Sequence, residues 1–264
     1  MQKIVLYDSL SYLRVQLETT KLRDFLVGCL NQTANPYDLR IWVWDGEGAN
    51  KARRALFPAY KTRTKPKGSV TRDLNFVREL MGYTGSWQIR VPGFEGDDVI
   101  AALTEHFLST TSLPINIVCR DADIAALCAL SPRVTCTFDP KMPFEDIRLY
   151  KTTVGDPSDT IPGMKGFGKG GWEECDKAGL RTLITTLLDE RRPLADDEVT
   201  RALAIGIRPG TCNWLKEQAN VDELAVMRRI IDPLPVPRDT INQHLKQGVR
   251  DEATLYRLCT EYML

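Results

Sequence analysis

Short apolar runs at residues 4–7, 41–44, 115–119 and 134–138, with a weaker one at 88–91, are separated by helically spaced segments at 17–30, 72–81, 97–107 and 123–130. Runs rich in Ile, Val and aromatic residues between polar punctuation read as buried strands. Strands that alternate with helices leave few topologies, because a parallel pair needs a crossover and the crossover helix must cover the sheet. The expected fold is therefore α/β, with a twisted, mainly parallel central sheet and flanking helices. Beyond residue 140 the strand signals fade. Segments 145–154, 172–188, 196–205, 221–231 and 253–263 read as helices, interrupted by Pro233, Pro235 and Pro237. The expected organisation is an α/β core over 1–140 and a helical portion over 141–264.

Bulk chemistry excludes several classes. No apolar stretch approaches the length of a membrane span, and the N-terminal run is closed at once by Asp8, which is not a signal-peptide pattern. Seven cysteines without a C-x-x-C pair suit reduced thiols and a cytoplasmic setting, and two histidines disfavour a His-based zinc site. Basic and acidic residues balance at 35 each, so total charge says nothing about nucleic acid. Their distribution does. Between Lys51 and Arg72 stand Arg53, Arg54, Lys61, Arg63, Lys65 and Lys67 with no acidic residue. Such a block is either a solvated face or a phosphate-binding patch.

The acids fall where an open parallel sheet binds its ligand, at the carboxyl ends of its strands. Asp8 follows the first run, Asp45 the second, and Asp121 and Asp123 the fourth; Glu95, Asp97 and Asp98 open the helix at 97–107. Asp156 and Asp159 precede a glycine-rich stretch. Singly, each has a structural explanation as a helix cap or turn residue. Together, nine carboxylates in one crevice repel one another unless cations lie among them. An all-oxygen donor set suits Mg²⁺ or Mn²⁺, and two such ions suit phosphodiester hydrolysis.

The stretch GDPSDTIPGMKGFGKGG, residues 155–171, imitates two nucleotide motifs and satisfies neither. A P-loop needs a preceding strand and a hydroxyl after the lysine; here a proline-containing turn precedes, and Gly170 follows Lys169. A glycine hairpin between two helices fits instead. Gly163, Gly166 and Gly168 permit tight turns, and N–H groups beside Lys169 are placed to hold a backbone phosphate without reading sequence.

Five pieces in order, LYDSLSYL, VWDGEGANKARRALFPAYK, FEGDDVIAAL, VCRDADIAAL and VGDPSDTIPGMKGFG, with a fainter DELAVMRRIIDPLPV, resemble the 5′-nuclease (flap endonuclease) family. That family includes stand-alone phage 5′→3′ exonucleases and the N-terminal nuclease domain of bacterial DNA polymerase I. The resemblance implies a PIN-like core, an arch at about 51–82 and a helix-hairpin-helix at about 155–190. It implies one divalent ion, Mg²⁺ or Mn²⁺, at Asp8, Asp45, Glu95 and Asp97, and a second supported by Asp98, Asp121, Asp123, Asp156 and Asp159. Asp8 and Asp45 with Lys61 would form the catalytic set. Arg53, Arg54, Tyr60, Lys61, Arg63, Lys65, Gly163, Gly166, Gly168 and Lys169 would contact DNA, with K⁺ at the hairpin. The implied partner is DNA bearing a 5′ end, flap or single-strand/duplex junction, met by a monomer that can work beside a replication polymerase, away from membranes. Thr160 stands where the family usually has Asn, and Lys169-Gly170-Gly171 displaces its usual lysine. The rival readings are a DNA-structure-binding module without cleavage and a PIN-type ribonuclease. Asp8-Ser9-Leu10 lacks the D-x-D of a haloacid-dehalogenase-type phosphatase.

Overall fold

The computed structural model describes residues 2–19, 21–33, 38–62 and 70–261. In chain order the elements are β1 (Lys3–Asp8), α1 (Ser9–Thr19), α2 (Leu22–Thr33), β2 (Asp38–Trp44), α3 (Lys51–Leu56), α4 (Val70–Met81), β3 (Trp87–Arg90), α5 (Gly96–Thr110), β4 (Ile115–Val118), α6 (Ala122–Ala125) and β5 (Val134–Cys136). There follow α7 (Ile147–Val154), α8 (Lys169–Glu174), α9 (Lys177–Glu190), α10 (Val199–Ala204), α11 (Pro209–Leu215), α12 (Gln218–Ile231), α13 (Arg238–His244), β6 (Leu245–Gln247) and α14 (Glu252–Glu261). No helix among the described residues is long and apolar enough to cross a membrane.

The strands form one sheet in the order β5-β4-β1-β2-β3-β6. β1 through β5 are parallel, and β6 runs antiparallel to β3. The central strands are apolar on both faces, as a doubly covered parallel sheet requires. Ile4 and Leu6 join Ile41 and Val43 under α5, which contributes Val99, Ile100 and Leu103. Val5 and Tyr7 point the other way, with Trp42 and Trp44, into a core closed by Leu13, Leu26, Leu80 and Leu255. Tyr7 and Trp42 stack with centroids 4.1 Å apart.

The chain forms two compact units, and their composition corrects the sequence-based organisation. The sheet unit is Met1–Asn50, Lys65–Lys141 and Pro235–Leu264; the helical unit is Lys51–Thr64 and Met142–Leu234. Residues 235–261 thus belong to the sheet unit. Three alternating residues, too few to register as a strand, add β6 by pairing Leu245 with Ile89 and Gln247 with Trp87. The basic segment, expected to leave from the core as an arch, starts inside the helical unit, because Tyr60 is buried in that unit's own core with Phe167, Trp172 and Leu187. Arg63 and Lys65 lie outside the described residues.

Several expected helices are interrupted where apolar periodicity continues past a local stop signal. The helix at 17–30 is two helices, α1 and α2. The helix at 123–130 is one α-turn, α6, followed by 3₁₀ backbone at Ala126–Leu130. The helix at 172–188 breaks at Cys175, after which Asp176 caps α9 by accepting from the Ala178 N–H at 3.0 Å.

Candidate metal and nucleic-acid site

In the sheet unit the parallel strands carry acids to one edge. Asp8 is the last residue of β1, Asp45 follows β2, and Asp121 precedes α6 just beyond β4. Asp8 is half-buried and accepts from Ser11, by its backbone N–H and its hydroxyl. Burial pushes the Asp8 carboxyl above the usual range; Ser11 opposes this, while the negative charges of Asp45 and Asp121 push the same way. Asp45 and Asp121 therefore each lie within electrostatic reach of Asp8.

Asp45 is solvent-exposed, but its geometry is held from two sides. Its Oδ1 accepts from the Gly96 N–H at 2.7 Å, and its carbonyl accepts from Arg90 Nε at 3.0 Å. The first bond ties the end of β2 to the first turn of α5, where Glu95 and Asp97 stand. Glu95 is buried and Asp97 half-buried. Asp98 is fully buried, and its Oδ2 accepts from the Glu95 N–H at 3.0 Å. It closes the helix start, the capping role that its position also allowed. Asp121 likewise works locally, accepting from the Asp123 N–H at 2.9 Å to cap α6.

The helical unit holds the other predicted residues. Asp156 and Ile161 exchange backbone bonds at 2.8 and 2.9 Å, closing the GDPSDTIP turn. One Asp156 oxygen accepts from the Ser158 N–H and hydroxyl at 2.8 and 2.6 Å, and the other meets Lys151 Nζ at 2.7 Å. Burial works to raise the Asp156 carboxyl, but Lys151 and Ser158 outweigh it and hold it below the ordinary range. Lys61 joins the same turn: its N–H donates to the Asp159 carbonyl at 3.3 Å, and its backbone is left-handed, with φ 49°. Its ammonium lies 5.0 Å from the Tyr60 ring centroid.

Three residues expected at DNA serve the interior instead. Tyr60 is 2% exposed, so its ring is core and does not present a stacking face. Arg53 is 3% exposed and donates to the carbonyls of Ile230 and Asp232 at 2.9 and 3.3 Å. A buried guanidinium satisfied by carbonyls is a structural brace. Gly163 is buried with φ 73°, and a Cβ there would lie 2.4 Å from the Val154 carbonyl carbon, so it serves close packing. Gly166, Gly168 and Lys169 are exposed, and Lys169 opens α8. Arg54 is exposed but spends Nε and a terminal nitrogen on the carbonyls of Tyr60 and Lys61 at 3.2 and 3.3 Å, shaping the Lys61 turn.

Arg53→Ala is accordingly expected to cost about 2–3 kcal/mol, since it strips the buried Ile230 carbonyl and the part-buried Asp232 carbonyl of their donor. Urea unfolding checks this. A DNA contact would instead lower affinity and leave the midpoint in place.

Sequence reading missed Ser11, Arg90, Gly96 and Lys151. Ser11 sits three residues after Asp8, and Lys151 lies in the last turn of α7 before Asp156. Neither spacing is distinctive until the fold brings the partners together.

The descriptive model of the 5′-3′ exonuclease N-terminal, resolvase-like domain matches residues 17–152, just over half of the chain. The thermostable DNA polymerase I of Thermus thermophilus is 32% identical over 146 residues, which span 50% of this chain and 17% of the polymerase. A 5′-3′ exonuclease of Aquifex aeolicus is 25% identical over 140 residues, 48% of each chain. The chain thus spans half or less of the length of these relatives. Among solved structures, T5 5′-exonuclease with bound zinc superposes with TM-score 0.60 at 15% identity, covering 92% of this chain and 96% of that one. The bacteriophage T5 D15 flap endonuclease in complex with DNA and metal ions gives TM-score 0.52 at 15% identity, covering 87% and 98%. At such identity these two establish the fold. The chain belongs to the 5′-3′ exonuclease family through its N-terminal resolvase-like domain.

Proposed function

We propose that this protein hydrolyses DNA phosphodiesters near 5′ ends or flaps, using two divalent cations, Mg²⁺ or Mn²⁺. The observation that carries the reading is the convergence of Asp8, Asp45 and Asp121 at the carboxyl edge of the parallel sheet, with α5 tied to Asp45 through Gly96. The donor set fits hard cations: it is all oxygen, and the charges of Asp45 and Asp121 raise the proton affinity of Asp8 when nothing neutralises them.

Asp8, Asp45, Glu95 and Asp97 would hold one ion, with Asp98 fixing the helix start behind them. Asp121 and Asp123 would supply carboxylates to the second. When bound, such ions supply a Lewis acid for the phosphate and make a coordinated water more acidic. The chain's own part is orientation. Ser11 and Gly96 fix the Asp8 and Asp45 oxygens, while Lys61, set in a strained backbone and braced through Arg54, neutralises charge building on phosphate oxygens. Lys169 and the exposed Gly166 and Gly168 hold the DNA backbone without base readout. In the helical unit Asp156 is paired with Lys151, and the Lys61 N–H ties that residue to the Asp159 carbonyl.

A 5′-labelled flap duplex tests the proposal: cleavage with Mg²⁺ and none with excess EDTA. Binding without cleavage in Mg²⁺ and Mn²⁺ would favour the non-cutting module, and preference for a matched RNA strand would favour a ribonuclease. Lys61→Ala is expected to lower turnover by about 10²-fold while leaving the EDTA-state DNA affinity within a few-fold, since its partner charge develops during reaction. Equal turnover would remove Lys61 from the mechanism.

A further inference from the structure

A cavity of about 400 Å³ opens in the sheet unit between the end of α4 and the β3–β6 edge. Its wall is strongly cationic. Arg78 comes from α4, Arg90 from the end of β3, and His244 and Lys246 from the β6 side; Glu79 is the lone carboxylate. Three permanent cations less one carboxylate leave a net +2, His244 not counted. Arg78 and Lys246 form no ion pair with any described residue. Arg90 lends only Nε, to the Asp45 carbonyl at 3.0 Å, which leaves both terminal nitrogens for a ligand. Gln88, also in the wall, accepts from Trp44 Nε1–H through its Oε1 at 3.0 Å and so presents its amide N–H groups.

Apart from Glu79 every charged group of the wall is cationic, and Gln88 adds amide N–H donors, an arrangement whose natural complement is a multiply charged oxyanion. Burial pulls the Arg78 guanidinium below its ordinary range, and repulsion from Arg90 adds to this. An anion held in the cavity that both line would offset that repulsion. Two planar forks suit the paired oxygens of a phosphate. The volume lies within the roughly 300–1,000 Å³ of small-molecule sites and exceeds what inorganic phosphate fills.

We propose that this cavity binds the phosphate monoester of a 5′-nucleotide, carried either by a free mononucleotide or by the phosphorylated 5′ end of a strand. Its connection to Asp45 through Arg90 places that phosphate beside the carboxylate edge of the sheet. The choice of a nucleotide rests on the nuclease reading; the phosphate site itself does not.

Calorimetric titration in EDTA, where no cleavage occurs, tests it independently of catalysis. Thymidine 5′-monophosphate is expected to bind saturably and thymidine not to bind. The double variant Arg78→Ala, Lys246→Ala should weaken the monophosphate at least ~10-fold, with Arg78→Lys closer to wild type. Melting curves confirm that each variant is folded. Should the double variant fail to fold, Lys246→Ala, which changes an exposed side chain of β6, gives the same readout. A short oligonucleotide bearing a 5′-phosphate, compared with its 5′-hydroxyl form, separates the sources: a ~10-fold preference assigns the strand end, and equal affinity with retained monophosphate binding assigns the free nucleotide. No saturable monophosphate binding, or equal affinity in folded wild type and variant, overturns the proposal.

Discussion

Asp45→Asn is expected to reduce cleavage of a 5′-flap substrate by about 10³-fold while leaving DNA affinity in EDTA nearly unchanged. The size follows from removing one preorganised charge from a site whose chemistry is electrostatic. The substitution is well isolated, because an asparagine Oδ1 still accepts the Gly96 N–H that positions this residue. Shape and the Gly96 tether survive while the charge is lost. Stability should move in the opposite direction from activity. Asp45 adds to the repulsion that raises the Asp8 carboxyl, so the metal-free variant should melt at or slightly above wild type. Manganese, which should raise the wild-type midpoint by mass action, should raise that of the variant much less. Flap cleavage in Mg²⁺ and melting with and without Mn²⁺ check both halves. Retained turnover would take Asp45 out of the site.

Gly46→Ala is expected to be the most damaging small substitution next to that residue. A Cβ at this position would lie 1.8 Å from the Val91 carbonyl oxygen and 2.6 Å from its carbon. Both are backbone atoms, so no side-chain rotation relieves the overlap. The backbone after β2 must shift, breaking the 2.9 Å bond from the Gly46 N–H to the Phe94 carbonyl. The cost should exceed about 3 kcal/mol, in the range of severe packing and strain mutants, and displacement of Asp45 should lower activity in the fraction that folds. Urea denaturation measures the first and flap cleavage the second. A midpoint within error of wild type would mean that the β2 and β3 ends are less tightly apposed than described.

The parallel sheet was legible because its strands are continuous apolar runs and both faces are buried, so no register ambiguity hides them. Asp8, Asp45 and Asp121 were legible for the same reason: once the strands are known, their carboxyl ends are known. What the sequence concealed was the assignment of short or polar pieces. β6 owes its existence to pairing with β3, not to its own pattern. Tyr60 and Arg53 stand in a basic run that reads as exposed, yet the helical unit needs a large ring and a carbonyl-satisfying donor in its interior. Asp98 and Asp97 are indistinguishable by type and spacing; only the Asp98 bond to the Glu95 N–H separates the cap from its half-buried neighbour. The glycines of 155–171 announced a tight turn correctly, but which of them serves packing depends on Val154 and Thr211, and both contacts come from the fold. Gly46 carried no signal at all, because nothing in its own neighbourhood reveals that Val91 will lie against it.

The most direct test of the account is anomalous scattering from a crystal equilibrated with Mn²⁺. A peak is expected within coordination distance of the carboxylates of Asp8 and Asp45, at about 2.0–2.4 Å as for hard-cation oxygen ligands, lost in Asp45→Asn. Full manganese occupancy elsewhere with no density at that edge of the sheet would contradict it.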